Sequence, residues 1–249
     1  MTGLLASVTS AEEAEMALAA GADIIDLKDP QAGALGALPA PVICEAVEQV
    51  AGRRIVSATA GDLPMEPEIV GQAVARIAAL GVDIVKIGMF PGRSPEACLD
   101  ALAAQTARGT RLVAVLFADQ SPDLGMIKGL ADRGFTGVML DTMDKSGGGL
   151  RCHLDDALLG RFVERSAELG LLNGLAGSLA IADIEPLLLL GADYLGFRGA
   201  LCANGRSSVL EPSRMRAVRA AIEPQAAITS PARRALQPRS PAHSAPPTP

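Results

Sequence analysis

Apolar and polar positions along this chain fall into one recurring unit. A stretch with helical spacing is followed by a small turn, often with glycine. A short β-branched run comes next, and then a polar or glycine-rich loop. Period-two alternation and bounding turn residues predict strands at Leu4–Val8, Asp23–Lys28, Arg54–Thr59, Asp83–Gly88, Arg111–Phe117, Thr136–Asp141, Leu171–Ala176 and Asp193–Arg198. Apolar positions three and four residues apart predict helices near 11–20, 40–51, 67–80, 94–107, 123–133, 155–169, 179–190 and 207–221. Strands that alternate with helices form a parallel sheet, and eight of each close it into a single (β/α)8 barrel. The repeat Gly21-Ala-Asp, Gly81-Val-Asp and Gly191-Ala-Asp supports this, each Gly ending a helix and each Asp opening a strand. An open doubly wound sheet is the alternative; no G-x-G-x-x-G follows the first strand, which weakens it.

The chain has 249 residues, a length that fits one such barrel. From Glu223 onward the pattern stops. Residues 223–249 hold seven of the 17 prolines and read as a disordered tail behind a catalytic domain spanning 1–222. The apolar fraction is 49%, built from Ala, Leu, Ile and Val with no Trp, which suits layered barrel packing. Scarce aromatics and a net charge of −6 argue against a nucleic-acid partner. The N-terminus has no basic region and no apolar run approaches ~20 residues, so a cytoplasmic location is expected and no membrane partner. Cys44, Cys98, Cys152 and Cys202 are too far apart for a zinc or disulfide framework. With only His153 and His243 available, a histidine metal site or a Ser-His-Asp triad has almost nothing to build on, and no metal or cofactor is expected. A homo-oligomer is left open.

Acid–base work must then come from carboxylates and amines. Of 22 basic residues only four are lysine. Three of them, Lys28, Lys86 and Lys145, fall at or just beyond the C-terminal end of a strand, the face where barrel active sites lie. Lys128 falls mid-helix and reads as a surface residue. Strand phase turns Asp26 and Lys28 inward together, likewise Lys86, and Asp141 lies on the inward face just before Lys145. Clustered ammonium groups push one lysine toward its neutral, nucleophilic form, while Asp26 and Asp141 shuttle protons. Plain buried ion pairs are the competing reading, but such pairs add little stability.

A phosphate site is expected from Gly177 and Ser178 after the seventh strand and Arg198 and Gly199 after the eighth, with Asn204-Gly205-Arg206 extending it. Ser57, Thr59, Asp62 and Asp119 follow strands three and five and are candidates for the mouth. Gly147-Gly148-Gly149 suggests a mobile loop or lid.

These segments together resemble a known family. The motifs are Ser7-Val-Thr-Ser, Asp26-Leu-Lys28-Asp-Pro, Gly33-Ala-Leu-Gly36, Val56-Ser-Ala-Thr59-Ala-Gly-Asp62, Asp83-Ile-Val-Lys86, Leu140-Asp141-Thr-Met-Asp-Lys145, Ala176-Gly-Ser178 and Phe197-Arg198-Gly. The family is (5-formylfuran-3-yl)methyl phosphate synthase, and the resemblance spans roughly residues 4–222. It implies a (β/α)8 barrel without cofactor that condenses two molecules of glyceraldehyde 3-phosphate, a phosphorylated aldehyde, into a phosphorylated furan aldehyde for methanofuran-type one-carbon carriers. It also implies Lys28 as the Schiff-base lysine, with Asp26, Lys86, Asp141 and Lys145 at the other active-site positions. Three alternatives remain at this point. A different Schiff-base aldolase would use the same lysines. Asp26-x-Lys28-Asp29 imperfectly resembles the D-x-K-x-x-D of orotidine-phosphate decarboxylases. A non-catalytic barrel that binds a phosphorylated ligand and regulates is the third.

Overall fold

Strand phase decides the architecture. Eight strands run β1 (Gly3–Val8), β2 (Ile24–Leu27), β3 (Ile55–Thr59), β4 (Ile84–Gly88), β5 (Leu112–Phe117), β6 (Gly137–Asp141), β7 (Leu172–Leu175) and β8 (Tyr194–Phe197). They pair in parallel in sequence order, and β8 closes onto β1 through Gly3 and Tyr194. The protein is therefore a closed (β/α)8 barrel. This computed structural model describes residues 2–92, 95–222 and 237–238. The expected Pro-rich tail lies outside the described residues apart from Gln237 and Pro238, where the Gln237 carbonyl accepts from Arg111 at 2.6 Å.

Alternation splits the strand side chains into two packed sets. Leu5, Ile24, Ile55, Ile84, Val113, Val115, Met139 and Leu172 fill the barrel interior. Ile25, Leu27, Val85, Ile87, Ala114 and Leu140 point outward onto the helices. Each fully buried branched side chain contributes roughly 1.5–3 kcal/mol against exposure, so the two sets fix the register together.

The helical periods resolve as α1 (Ala11–Ala19), α2 (Ala40–Val50), α3 (Pro67–Ala78), α4 (Pro95–Thr106), α5 (Met126–Asp132), α6 (Leu150–His153), α7 (Asp156–Glu168), α8 (Ile184–Leu188) and α9 (Pro212–Ile222). Three differ from expectation; the helix expected over 207–221 begins only at Pro212, with Leu210 held in an isolated bridge to Cys202. The helix expected over 179–190 shrinks to α8 behind a short 3-10 turn, because Ser178 is left-handed (φ 48°) and the backbone amide of Ala180 is capped by Asp183. The additional short α6 forms where Leu150 N donates to Gly177 O at 2.8 Å. That bond ties the end of the three-glycine loop to the turn after β7.

The Gly-x-Asp repeat has a physical role. Gly21, Gly81 and Gly191 take positive φ (80°, 87° and 74°), ending a helix as no L side chain does comfortably. The aspartate two residues on accepts a backbone amide of a neighbouring strand: Asp23 from Leu4, Asp83 from Val56 and Asp193 from Asn173. These carboxylates pin strand starts at the N-terminal end of the barrel and leave the opposite end for chemistry.

Candidate active site

Charged side chains buried in a hydrocarbon core need partners. At the C-terminal end of the barrel they find one another. Asp26, on β2, is fully buried and accepts from Ser57 Oγ on β3 (2.6 Å), Lys86 Nζ on β4 (2.9 Å) and Ser7 Oγ on β1 (3.0 Å). Asp141, the last residue of β6, meets Lys145 Nζ at 2.5 Å and Lys28 Nζ at 3.4 Å. Lys145 also donates to the Thr142 carbonyl, so its ammonium is held from two sides. The five residues expected as catalytic thus converge from three strands and from the loops that follow β2 and β6.

Electrostatics follow from that geometry. Burial by itself raises the Asp26 carboxyl, but the Lys86 and Lys28 charges outweigh it and hold it below the usual carboxylate range. Burial likewise opposes ionisation of Asp141, and the Lys28 and Lys145 charges overcome it and hold its carboxyl below the usual range. Both carboxylates stay ionised. Lys145 moves the other way for an amine with a carboxylate partner. Burial lowers its pKa, Asp141 raises it, Lys28 lowers it again, and the net direction is down.

Lys28, Lys86, Asp141 and Lys145 open onto a cavity of about 680 Å3, which also takes in Gly177, Ser178, Gly199, Arg206 and Arg214. That volume lies in the ~300–1,000 Å3 range of small-molecule sites. The opposite side of the mouth is closed by the loop after β2. Asp62 accepts the amides of Ala34 (2.8 Å) and Leu35 (2.6 Å), which drives Leu35 into the interior beside Phe117. Gly33 is obligatory there, since a Cβ would sit 2.1 Å from the Asp62 carboxylate.

The phosphate expectation divides. Gly177 (φ 110°) and Ser178 (φ 48°) form a left-handed turn on the cavity wall, and the amides of Ser178 and Leu179 have no hydrogen-bond partner among the described residues. Successive open amides of this kind make an anion-binding concavity. Gly199 lines the same wall.

Arg198 departs from its expected part. Its guanidinium donates to Glu13 through Nη1 and Nη2, to Ser7 O and Ser208 O, and through Nε to Arg206 O, so all five N–H groups are engaged within the protein. It frames the wall and has no donor left for a ligand. Ser57 and Thr59 also sit elsewhere than at the mouth. Ser57 lies beneath Asp26, and Thr59 donates to Gly36 O (2.8 Å). Inward-facing strand positions below a plugging loop cannot reach the opening. Asp119 serves a loop as Asp62 does, accepting the amides of Met143 (2.8 Å) and Asp144 (2.7 Å). Asp29 caps the amide of Gln31, and Lys128 pairs at the surface with Asp132 (2.6 Å).

Ser7 and Glu13 were not singled out as site residues. A polar residue in phase with inward Leu5 at the end of β1 is the signal that marks Ser7. No local signal marks Glu13, whose partner Arg198 lies 185 residues away. Among the described residues no group of three or more His, Cys, Asp or Glu could hold a metal ion, and no helix is long and apolar enough to cross a membrane.

Comparison with known proteins gives a consistent result. The family model for 4-HFC-P synthase matches residues 4–219. A Methanopyrus kandleri (5-formylfuran-3-yl)methyl phosphate synthase is 39% identical over 213 residues, covering 81% of this chain and 90% of that protein. A Methylorubrum extorquens protein provisionally given the same name is 45% identical, over 85% of this chain and 88% of its own. Among solved structures, a 3-hexulose-6-phosphate synthase superposes with a TM-score of 0.63 at 20% identity, over 89% of this chain and all of its own; it shows the barrel alone.

Proposed function

Because this chain belongs to the 4-HFC-P synthase family, we propose that it makes (5-formylfuran-3-yl)methyl phosphate from two molecules of glyceraldehyde 3-phosphate, as a step toward methanofuran-type carriers. The observation that carries this is the pairing of two amines on one buried carboxylate, Lys28 and Lys145 on Asp141, beside an anion-binding turn.

The overall reaction balances without redox. Two triose phosphates give the furan aldehyde phosphate, one inorganic phosphate and two waters, so no oxidant or reductant is required. One triose loses its phosphate and the other keeps it. Lys28 forms an imine with the first triose: its amine adds to the aldehyde carbon and water leaves. For this Lys28 must be neutral. Asp141 carries one negative charge and touches two amines, so it stabilises one ammonium and not two, and Lys145 is placed to receive and return protons during the imine step. Asp26, held by Ser7, Ser57 and Lys86, supplies the second carboxylate. The Gly177–Ser178 turn and Gly199 hold the retained phosphate through backbone amides.

The test uses glyceraldehyde 3-phosphate as sole substrate, with mass analysis for the phosphorylated furan aldehyde and an assay for free phosphate. Borohydride added during turnover traps a reduced adduct on Lys28. Absence of both products sinks the reading; products without a Lys28 adduct sink the imine alone. Lys28→Ala is expected to abolish turnover with the fold intact.

A further inference from the structure

Two arginines lie side by side on the cavity wall in opposite conditions. All five donors of Arg198 are consumed inside the protein. Arg206 makes one side-chain hydrogen bond among the described residues, from Nη2 to Gly33 O at 3.1 Å. Its backbone is fixed, since its carbonyl accepts from Arg198 Nε at 2.9 Å, and its guanidinium lines the cavity with Lys145 and Asp141. No carboxylate among the described residues lies within ion-pair distance of it. The guanidinium is half-buried, and burial lowers its pKa, with Asp141 acting in the opposite direction. A partly desolvated cation with open donors, rigidly placed in a reaction cavity, is incomplete without an anion. The turn at Gly177–Ser178, on the wall of the same cavity, offers neutral amides to an anion, so the lining presents two kinds of anion-binding group to a reaction that involves two phosphates.

We propose that Arg206 is a catalytic residue that binds the departing phosphate of the triose held on Lys28, next to Lys145 as the proton donor. This rests on the imine reading above. In the step, Lys145 as the free amine takes the C2 proton of the imine, giving an enamine and the Lys145 ammonium. The enamine electrons re-form the carbon–nitrogen double bond while a C2–C3 double bond forms and the C3–O bond breaks. The electron pair leaves on the phosphate oxygen, which takes the Lys145 proton. Carbon–oxygen cleavage places new charge on that oxygen, and the planar fork of Arg206 matches a phosphate with two donors. A neutral amide turn does not supply that charge, which is why it suits the phosphate that stays.

The experiment is a single turnover of the full chain with glyceraldehyde 3-phosphate, quenched with borohydride. The mass of the Lys28 peptide reports whether the trapped triose still carries phosphate, and inorganic phosphate is followed in parallel. In Arg206→Ala, phosphate release is expected to fall about 100-fold, the scale for losing one preorganised donor to a developing oxyanion. The Lys28 adduct shifts to the phosphorylated form. Arg206→Lys keeps the charge without the fork and recovers part of the rate. An unchanged ratio of phosphorylated to dephosphorylated adduct in both variants, even with a raised KM, overturns the proposal and leaves Arg206 as a latch on Gly33. A wild type that yields no adduct overturns the imine reading instead, and the proposal with it.

Discussion

Asp141 touches two amines and can neutralise one, and much of the site follows from that. Its carboxyl and that of Asp26 sit below the ~3.9 of a free aspartate. The unfolded chain therefore binds these protons more tightly than the folded one. The stabilisation is complete above about pH 4 and is lost as pH falls through the lower folded values. Asp26→Asn removes one such group and leaves Lys86 buried without its counter-charge. It is expected to lose about 3–5 kcal/mol at neutral pH, with a shallower loss of stability between pH 5 and 2 than wild type shows. Urea unfolding across that range measures both; an acid slope equal to wild type contradicts the assignment. Lys145 shifts stability in the same direction, in a higher pH window. Its folded pKa lies below ~10.4, so its contribution grows as pH rises from the folded value toward the unfolded one. At this scale the sequence was informative where scarcity was: three lysines in an arginine-rich chain all reach the cavity. It misled on Arg198, because a saturated guanidinium and a ligand-binding one look alike until Glu13 and the carbonyls around it are seen.

Loops, more than strands, decide how these residues are presented. Every strand lies within two residues of its expected bounds, since period-two burial leaves a strong trace. The loop shapes left little trace, because side chains from other strands set them. Asp62 after β3 folds the β2 loop over the interior, and Asp119 after β5 holds the start of the β6 loop that carries Lys145. Each was visible as a polar residue past a strand end, but with no hint that its acceptors serve a neighbouring loop. Asp119→Ala strips two amides of their acceptor. A stability loss of about 1–3 kcal/mol is expected, with a fall in kcat of about 10-fold or more as Lys145 drifts from Asp141. Steady-state kinetics beside a thermal melt decide the matter: a normal kcat with a lowered Tm means that Lys145 is held by Asp141 and Thr142 alone. Gly36→Ala probes the β2 loop similarly. Its Cβ would lie 2.4 Å from the Asp29 carbonyl, so Leu35 must withdraw and the interior open to water.

At the scale of the molecule, an acidic protein carries a cationic well. The net charge is −6, yet Lys28, Lys86, Lys145, Arg206 and Arg214 line the same cavity; Asp141 is the one carboxylate among the described lining residues, with Asp26 beneath Lys86 and Glu211 paired to Arg214. A cleft with one sign of charge and low-dielectric walls concentrates counter-ions, so phosphorylated substrates are drawn in although the surface as a whole repels them. The same well is a stability device. A ligand that binds only the folded state stabilises it by RT ln(1 + [L]/Kd), about 2.7 kcal/mol at one hundred times Kd. For a barrel of this size each kcal/mol moves Tm by roughly 2–4 °C, so saturating inorganic phosphate is expected to raise Tm by about 5–10 °C. Chloride at equal ionic strength screens without fitting the Gly177–Ser178 turn and is expected to give a much smaller shift. Lys128, paired with Asp132 on the outer surface, is the control. Lys128→Ala retains the full phosphate effect, whereas Lys145→Met loses part of it. Equal shifts from phosphate and chloride would mean that the excess positive charge is neutralised by diffuse ions and that the cavity has no built anion site.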